Sequence, residues 1–190
     1  TYRSYALNIY LRGRYSAESI YKAIKLLNAG KFEEARILLV LPSFDREALS
    51  VRIGEPLNNN EAKRLLAAYI WSDSEKTTDV ASLSLDFAKA TLEHIMPQKP
   101  ATGTNWLTEF DEEFRQKYTY RLGNMTLLTH TKNSSLRNYG FEKKKVTYAK
   151  SVLPLTRDIG AQGALTKNYF VERHQMIVGM LRTLFIDESV

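Results

Sequence analysis

With 190 residues the chain is long enough for one ordinary domain, and its 44% apolar content argues against disorder. No apolar run approaches the roughly 20 residues of a membrane-spanning helix, and the lack of cysteine excludes disulfides and thiolate zinc sites and fits the cytoplasm. The net charge of +6 permits nucleic-acid binding without requiring it. Because the chain begins at Thr1 rather than Met, we expect it to be part of a longer protein.

The first 80 residues have the apolar spacing of helices. Ser16 and the asparagines at 58–60 are N-cap candidates, and Gly30 and Pro42 are residues at which helices end. The predicted elements are a helix over 16–30, a second over 32–41, a third that begins near 58–60, and a polar linker or surface loop over 72–79.

The second half of the chain mixes strand and helix signals. The predicted elements, in chain order, are a strand over 87–92, a turn-rich loop over 98–104, an amphipathic helix marked by Trp106, Phe110, Phe114 and Tyr118, a short strand over 123–129, a loop over 132–140, a helix over 141–152, and a last helix over 169–185. On the helix over 141–152, we expect Phe141, Tyr148 and Val152 to point inward and Lys143 and Lys144 to point outward.

Positive charge is concentrated in one part of the sequence. Residues 115–150 contain nine basic side chains and one acidic side chain, a net charge of +8, whereas the rest of the chain sums to −2. Lysine and arginine contacts to phosphate supply most of the affinity in nucleic-acid binding. The sequence therefore places its best candidate for a polyanion-binding surface directly after the stretch EHIMPQ.

That stretch and the segment after it hold residues suited to phosphodiester hydrolysis. A neutral imidazole such as that of His94 can take a proton from water near pH 7. Glu93, Asn124 and Asn133 offer oxygen atoms, the ligands that Mg²⁺ prefers. Adjacent residues on a strand point to opposite sides, so we expect a bend at Pro97 to bring Glu93 and His94 toward one phosphate.

The ordered motifs EHIMPQ and YRLGNMTLLTHTKNSSLRNYGFEKKKVTYAKS resemble the C-terminal nuclease domain of GmrSD-type modification-dependent restriction endonucleases. That family is a branch of the HNH, or His-Me finger (ββα-metal), nucleases. The match covers about 91–151, and the nine-residue step from Asn124 to Asn133 is also similar to the HNH domain of RNA-guided CRISPR nucleases. The resemblance implies an α+β, mostly helical fold: a helical segment over 1–80, a small ββα-metal core over 81–155, and a C-terminal helix over 156–190.

The resemblance also implies a role for each candidate residue. His94 would be the general base, and Asn124 would position the segment that carries it. Glu93 and Asn133 would bind Mg²⁺ or Mn²⁺, and the ion would be held loosely because the asparagine ligand is neutral and many HNH nucleases have the shorter Asp in place of Glu93. The residues expected to contact DNA phosphates are Arg121, Lys132, Arg137, Lys143, Lys144 and Lys145. The alternate site residues are Asn138 and His130.

Each candidate also has a purely structural explanation. A histidine in a fold is often a hydrogen-bonded core residue, Gly-Asn is a common turn, and an asparagine in a loop often bonds its own backbone. Glu93 could form an ion pair, His130 could be a polar residue that leaves a strand, and the lysines at 143–145 could be a solvated helix face. His174 lies on an apolar stripe of the last helix and is predicted to be a core or partner-contact histidine.

The sequence therefore predicts a metal-dependent endonuclease that nicks or cleaves DNA. The resemblance implies that it belongs to a longer restriction or anti-phage defence protein, whose upstream nucleotide-using domain senses modified or foreign DNA. The oligomeric state is left open. Two alternatives are a catalytically silent DNA-binding module of the same fold and a structural or protein-interaction domain.

Overall fold

The computed structural model describes residues 17–39, 43–74, 90–136 and 138–186. Strands β1 (Ala90–His94) and β2 (Met125–Thr129) form an antiparallel pair, and a short 3₁₀ helix, Leu122–Asn124, leads into β2. The α-helices are α1 (Ala17–Asn28), α2 (Phe32–Leu39), α3 (Ser43–Ile53), α4 (Asn59–Ser74), α5 (Asn105–Thr108), α6 (Glu112–Tyr118), α7 (His130–Leu136), α8 (Phe141–Tyr148), α9 (Pro154–Gly160) and α10 (Lys167–Ile186).

This architecture confirms the mostly helical α+β fold and corrects several predicted elements. Helices α3 and α9 were not predicted, and α7 occupies most of the expected loop over 132–140. The expected aromatic helix is divided into α5 and α6, because Asp111 accepts a hydrogen bond from Phe114 N at 2.8 Å and so begins a new helix. Part of the expected linker (75–79), the start of the expected first strand (87–89) and Arg137 lie outside the described residues.

Helix α8 differs from its prediction in two ways. It ends at Tyr148, so Val152 lies beyond it and is 69% exposed rather than inward. Lys144, which was expected to point outward, is fully buried. The prediction for Lys144 is wrong because its position on the helix, three residues after Phe141 and four before Tyr148, places it on the buried face.

The start of α4 follows its prediction. The Asn58 carboxamide oxygen accepts hydrogen bonds from the backbone N–H groups of Asn60 and Glu61, both at 3.0 Å. Glu61 in turn accepts a bond from Asn58 N at 3.1 Å, which completes a reciprocal capping arrangement. Gly30 follows α1 with φ of 72°, the left-handed conformation of a helix C-terminus.

The register of the two strands decides which side chains share a face. His94 pairs with Met125 and Glu93 pairs with Thr126, so the ladder is regular through the Glu-His pair. Because side chains alternate along a strand, Leu92 and His94 lie on one face of the sheet and Glu93 lies on the other. Helix α4 packs against the sheet through the first face, and α7 and α8 cover the face of Glu93.

Two apolar clusters hold these layers together. The larger one joins α3, α4, both strands and α10, and its members include Ile53, Leu66, Ala90, Met125, Leu127, Ile177 and Leu181. The second lies on the other side of the sheet and includes Met96, Trp106, Phe110, Leu128, Phe141, Tyr148, Ile159 and Phe170. The larger cluster draws on all three predicted segments, and the boundaries near 80 and 155 stay a prediction. In the part of the chain that the structure describes, no helix combines the length and apolarity needed to cross a membrane.

Gly123 is the point at which α10 approaches the turn before β2. A Cβ atom on Gly123 would lie 2.3 Å from the carbonyl oxygen of Phe170 and 2.7 Å from the Cβ of His174. Nearby, the guanidinium of Arg173 is buried and donates to the carbonyl oxygens of Leu122, Gly123 and Met125 at 2.9–3.0 Å. The approach at Gly123 requires direct contact between the backbone of α10 and that of the turn, and the Arg173 side chain adds bonds between the same two segments.

Replacing Gly123 with alanine is expected to lower the free energy of unfolding by about 3 kcal/mol, because backbone atoms of α10 must move to admit the methyl group. Urea denaturation of the variant would measure this change. Gly179→Ala, on α10 itself, is the matched control, because its added Cβ meets no atom within 4 Å and should raise stability by up to about 1 kcal/mol. Equal stabilities for the two variants would contradict the close approach.

Candidate active site

Asn124 binds the segment that follows His94. Its backbone oxygen accepts from Ile95 N at 2.8 Å, and its side-chain oxygen accepts from Met96 N at 2.7 Å. Its side-chain nitrogen donates to Met96 O at 2.9 Å and to Thr119 O at 3.1 Å. The fully buried carboxamide therefore ties the turn before β2 to the turn after β1, which is the arrangement that positioning the His-bearing segment would require.

His94 lies at the end of β1 with its imidazole largely buried. Its Nε2 atom is 3.2 Å from Gln98 Nε2, and its ring meets the ring of Tyr120 edge to face at 5.9 Å. An amide nitrogen can only donate, so Nε2 acts as the acceptor in this contact. Burial, with a smaller effect of the Lys144 charge, lowers the pKa of His94 from 6.5 to about 4. The imidazole is therefore neutral at pH 7 and has a lone pair that can take a proton.

Glu93 is buried on the opposite face of the sheet, where it contacts α8. Its Oε1 atom accepts hydrogen bonds from Lys144 Nζ and Tyr148 OH, both at 2.8 Å. Burial raises the pKa of the Glu93 carboxyl and lowers the pKa of the Lys144 ammonium, and the attraction between the two charges opposes both changes. Glu93 is thus held in one orientation by two donors from the same helix.

Asn133 lies on α7 and reaches the same face of β1 as Glu93. Its side-chain nitrogen donates to Leu92 O at 2.7 Å and to Thr91 Oγ1 at 3.0 Å. Thr91 is two residues before Glu93, so the side chains of Thr91 and Glu93 lie on the same face of the strand. The nitrogen is used to fix the side chain, and Oδ1 is the atom that could bind a metal ion.

These donors fit a loosely held Mg²⁺ better than a tight metal site. Glu93 and Asn133 are both oxygen donors on one face, and Mg²⁺ commonly takes one or two protein ligands and keeps several waters. Across the described ranges of the chain, there is no group of three or more His, Asp or Glu side chains that could surround an ion. The Lys144 ammonium on Oε1 further weakens attraction for a second cation.

The expected bend between Glu93 and His94 is not found. The β1–β2 ladder runs through both residues, and the chain bends only from Ile95 onward, before Pro97. The two side chains therefore point to opposite faces, and a single phosphate could reach both only at the end of β1, where the sheet stops.

The predicted phosphate contacts differ widely in their surroundings. Lys143 is exposed and stands 3.3 Å over the ring of Tyr139. Lys132 and Lys145 are half-buried, and their ammonium groups donate to the backbone oxygens of Lys150 and Gly163, at 3.3 and 3.5 Å. These three lysines have ammonium groups near the protein surface.

The other two predicted phosphate contacts that the structure describes make hydrogen bonds within the protein. Arg121 donates to the backbone oxygens of Gly54 at 2.5 Å and Lys117 at 3.1 Å, so its guanidinium joins two parts of the fold. Lys144 has no exposed surface and cannot meet a DNA phosphate, because its charge is enclosed beside Glu93. The expectation that Lys144 contacts DNA is therefore wrong.

The remaining candidates lie apart from this cluster or are only partly described. Asn138 is exposed in a turn, where its backbone oxygen accepts from Ala101 N at 3.4 Å. His130 is the first residue of α7, and its side chain lies outside the described atoms. His174 is a buried core histidine, as predicted, with Nε2 3.3 Å from Gly54 O and a pKa lowered mainly by burial.

Sequence reasoning did not identify four side chains that surround the Glu-His pair: Gln98, Tyr120, Lys144 in its buried role, and Tyr148 as a partner of Glu93. The four-residue step from Lys144 to Tyr148, which puts both on one face of a helix, was a signal that could have indicated a shared partner. Gln98 and Tyr120 carried no comparable signal, because their contacts depend on how two separate turns meet.

The buried imidazole predicts a pH dependence of stability. Its pKa of about 4 in the folded chain lies below the ordinary value of 6.5, so the unfolded chain binds the proton more readily and stability falls as pH drops between these values. From pH 7 to pH 4.5, the wild type should lose about 2 kcal/mol more than His94→Gln. Urea denaturation of both proteins at the two pH values would measure this difference, and equal losses would contradict the buried neutral histidine.

A known protein family matches most of the chain. The family described as GmrSD restriction endonucleases, C-terminal domain, matches residues 42–180. No curated protein matches the chain, and no solved structure matches it. The matched range includes both strands, α7, α8 and every candidate residue described above.

Proposed function

The chain belongs to the family of GmrSD restriction endonucleases, C-terminal domain, and from that premise we propose that it is a metal-dependent, HNH-type DNA endonuclease in which His94 activates water. One observation carries the proposal. The neutral imidazole of His94 lies at the end of β1, and Asn124 holds the segment that follows it. The neighbouring Glu93 carboxylate lies on the face of β1 that Asn133 also reaches.

In this proposal the Nε2 atom of His94 takes a proton from a water molecule, which attacks phosphorus. The bond from phosphorus to the 3′ oxygen breaks. Gln98, 3.2 Å from Nε2, occupies the position that such a water would need, so it must move or share the lone pair. A base with a pKa near 4 is weaker than the optimum at pH 7. The negative charge of a bound phosphate raises the pKa of a nearby imidazole, so DNA binding would strengthen the base.

Glu93 and Asn133 are the residues that would hold Mg²⁺ or Mn²⁺. Such an ion, when bound, would stabilise negative charge on the phosphate and on the leaving oxygen. Within the chain, Lys144 and Tyr148 orient the Glu93 carboxylate, and Leu92 and Thr91 orient the Asn133 amide. Each of the two side chains is thus held in place by hydrogen bonds to another part of the chain, as metal ligands in proteins commonly are.

The DNA backbone would lie along three lysines of α7 and α8 whose ammonium groups are near the surface. Lys132, Lys143 and Lys145 have ammonium groups near the surface, in the part of the sequence with a net charge of +8. We further propose that the chain acts in the cytoplasm as part of a longer defence protein, whose upstream nucleotide-using domain senses modified or foreign DNA.

Removing the imidazole tests the proposed base. Wild-type protein should nick supercoiled plasmid in the presence of Mg²⁺ or Mn²⁺ and should lose this activity in EDTA. His94→Ala should lower the rate by about 100-fold or more, which is the usual contribution of a general base. His130→Ala is the comparison, because it removes the alternate ligand and should leave most of the activity. Equal cleavage by wild type and His94→Ala, both folded by circular dichroism, would refute the mechanism.

A catalytically silent DNA-binding module is the second candidate, and the saturation of Glu93 Oε1 by Lys144 and Tyr148 favours it. Under this alternative, Lys132, Lys143 and Lys145 would bind DNA with strong salt dependence, and no divalent metal would support cleavage.

Both candidates predict that Lys143 and Lys145 contribute to DNA affinity. The double variant Lys143→Met/Lys145→Met should weaken binding and reduce the slope of log affinity against log salt by about 2, because each lost phosphate contact reduces it by about 1. Fluorescence anisotropy at several salt concentrations would measure the slope. Lys22→Met/Lys31→Met removes the same charge from exposed positions on and beside α1 and should leave the slope unchanged. Equal slopes for the two double variants would place the DNA elsewhere.

A further inference from the structure

The ammonium of Lys144 has a full set of hydrogen-bond acceptors within the protein. It donates to Glu93 Oε1 at 2.8 Å, to His94 O at 2.8 Å and to Ile95 O at 3.1 Å. A lysine ammonium has three donors and is rarely fully buried unless it is paired. Each Lys144 donor therefore has a defined acceptor, and two of the acceptors are backbone carbonyls at the end of β1.

Lys144 and Asn124 together hold the polar backbone of the turn after β1. Asn124 binds Ile95 N, Met96 N and Met96 O, and Lys144 binds His94 O and Ile95 O. Every backbone N–H and C=O from the carbonyl of His94 to the carbonyl of Met96 thus has a partner from one of these two residues. They reach the turn from different elements, the 3₁₀ helix before β2 and α8.

We propose that Lys144 is a positioning residue for both His94 and Glu93, and this inference rests on the proposed nuclease function. One ammonium binds the carboxylate of Glu93 and the carbonyl of His94. Because these two side chains point to opposite faces of the strand, a shared anchor fixes where each lies relative to the other. Lys144 acts through these groups and not through DNA, since it has no exposed surface.

An alternative explanation is that Lys144 only neutralises a buried carboxylate. A purely structural ion pair can often be replaced by apolar side chains of similar volume with little loss. Two of the three Lys144 bonds instead go to the backbone beside the proposed base, where a displacement of about 1 Å can lower a rate by roughly 100-fold. The two explanations therefore differ in what happens to the rate once the fold is retained.

The absence of cysteine allows a direct test. In Lys144→Cys the new thiol is unique, and it can be alkylated in the unfolded chain before refolding. With 2-bromoethylamine the thiolate displaces bromide and forms a side chain of lysine length that ends in an ammonium. With 1-bromopropane it forms a neutral side chain of nearly the same shape. Lys143→Met, one position away and exposed, is the control for loss of a lysine on α8.

The aminoethylated protein should nick plasmid with a kcat within a few-fold of wild type. The propylated protein should have a kcat lower by about 100-fold with little change in KM for DNA, because the buried group does not touch DNA. Lys143→Met should show the opposite pattern, a higher KM with kcat nearly unchanged. A propylated protein that cuts as fast as wild type, or a folded aminoethylated protein that does not recover, would overturn the proposal.

Amide hydrogen exchange gives a readout that does not depend on cleavage. The N–H groups of Ile95 and Met96 should exchange at least tenfold faster in the propylated protein and at the wild-type rate in the aminoethylated protein. If wild type cuts no DNA with any divalent ion, the proposed function fails, and exchange still decides whether Lys144 holds the turn. Unchanged exchange in the propylated protein would refute the positioning role on its own.

A third alkylation covers the case in which the neutral side chain prevents folding. With 3-bromopropylamine the ammonium is retained but lies one methylene further along, so Glu93 keeps a cationic partner while the bonds to His94 O and Ile95 O are displaced. This protein should fold and have a kcat at least tenfold below that of the aminoethylated form. Equal kcat values for the two ammonium forms would show that charge alone is sufficient and would overturn the proposal.

Discussion

The ion pair between Glu93 and Lys144 is the interaction on which the rest of the site depends. Two charges are removed from water at the point where β1, the turn after it and α8 meet. Such a pair costs several kcal/mol of desolvation for each ion, and removing one partner typically destabilises a fold by about 3–5 kcal/mol. The structure meets this cost by giving Lys144 three acceptors and Glu93 a second donor, Tyr148. The position of α8 is thereby fixed relative to the end of the strand.

Features that depend on a local pattern could be predicted from the sequence. Features that depend on how separate elements meet could not. Strand β2 and the positioning role of Asn124 could be predicted from short motifs, and the helix cap at Asn58 from residue type. Helix α7 was missed because its serines and asparagine favour turns, whereas burial of Leu136 and the bonds from Asn133 to β1 hold it in a helix. Lys144 was assigned to the surface because charge was given more weight than its inward position in the helical repeat.

The alternation of side chains along β1 determines how substrate could meet the site. His94 and Glu93 lie on opposite faces, so neither face of the sheet can present both groups, and the shared position is the end of the strand. The close contact between Gly123 and α10 holds the turn before β2, and Asn124 carries that constraint to the turn after β1. The site is therefore supported by the last helix, although none of the proposed site residues lies on it.

The hydrogen bonds from Lys144 and Asn124 to the turn after β1 also determine when this turn can be completed during synthesis. Lys144 follows Glu93 by 51 positions, and Asn124 follows Met96 by 28. At about 5–20 residues per second, a ribosome that has just made Glu93 needs roughly 3–10 s to reach Lys144. During that interval the turn after β1 has at most one of its two partners. The candidate site of this restriction-endonuclease domain is thus incomplete until α8 has been made.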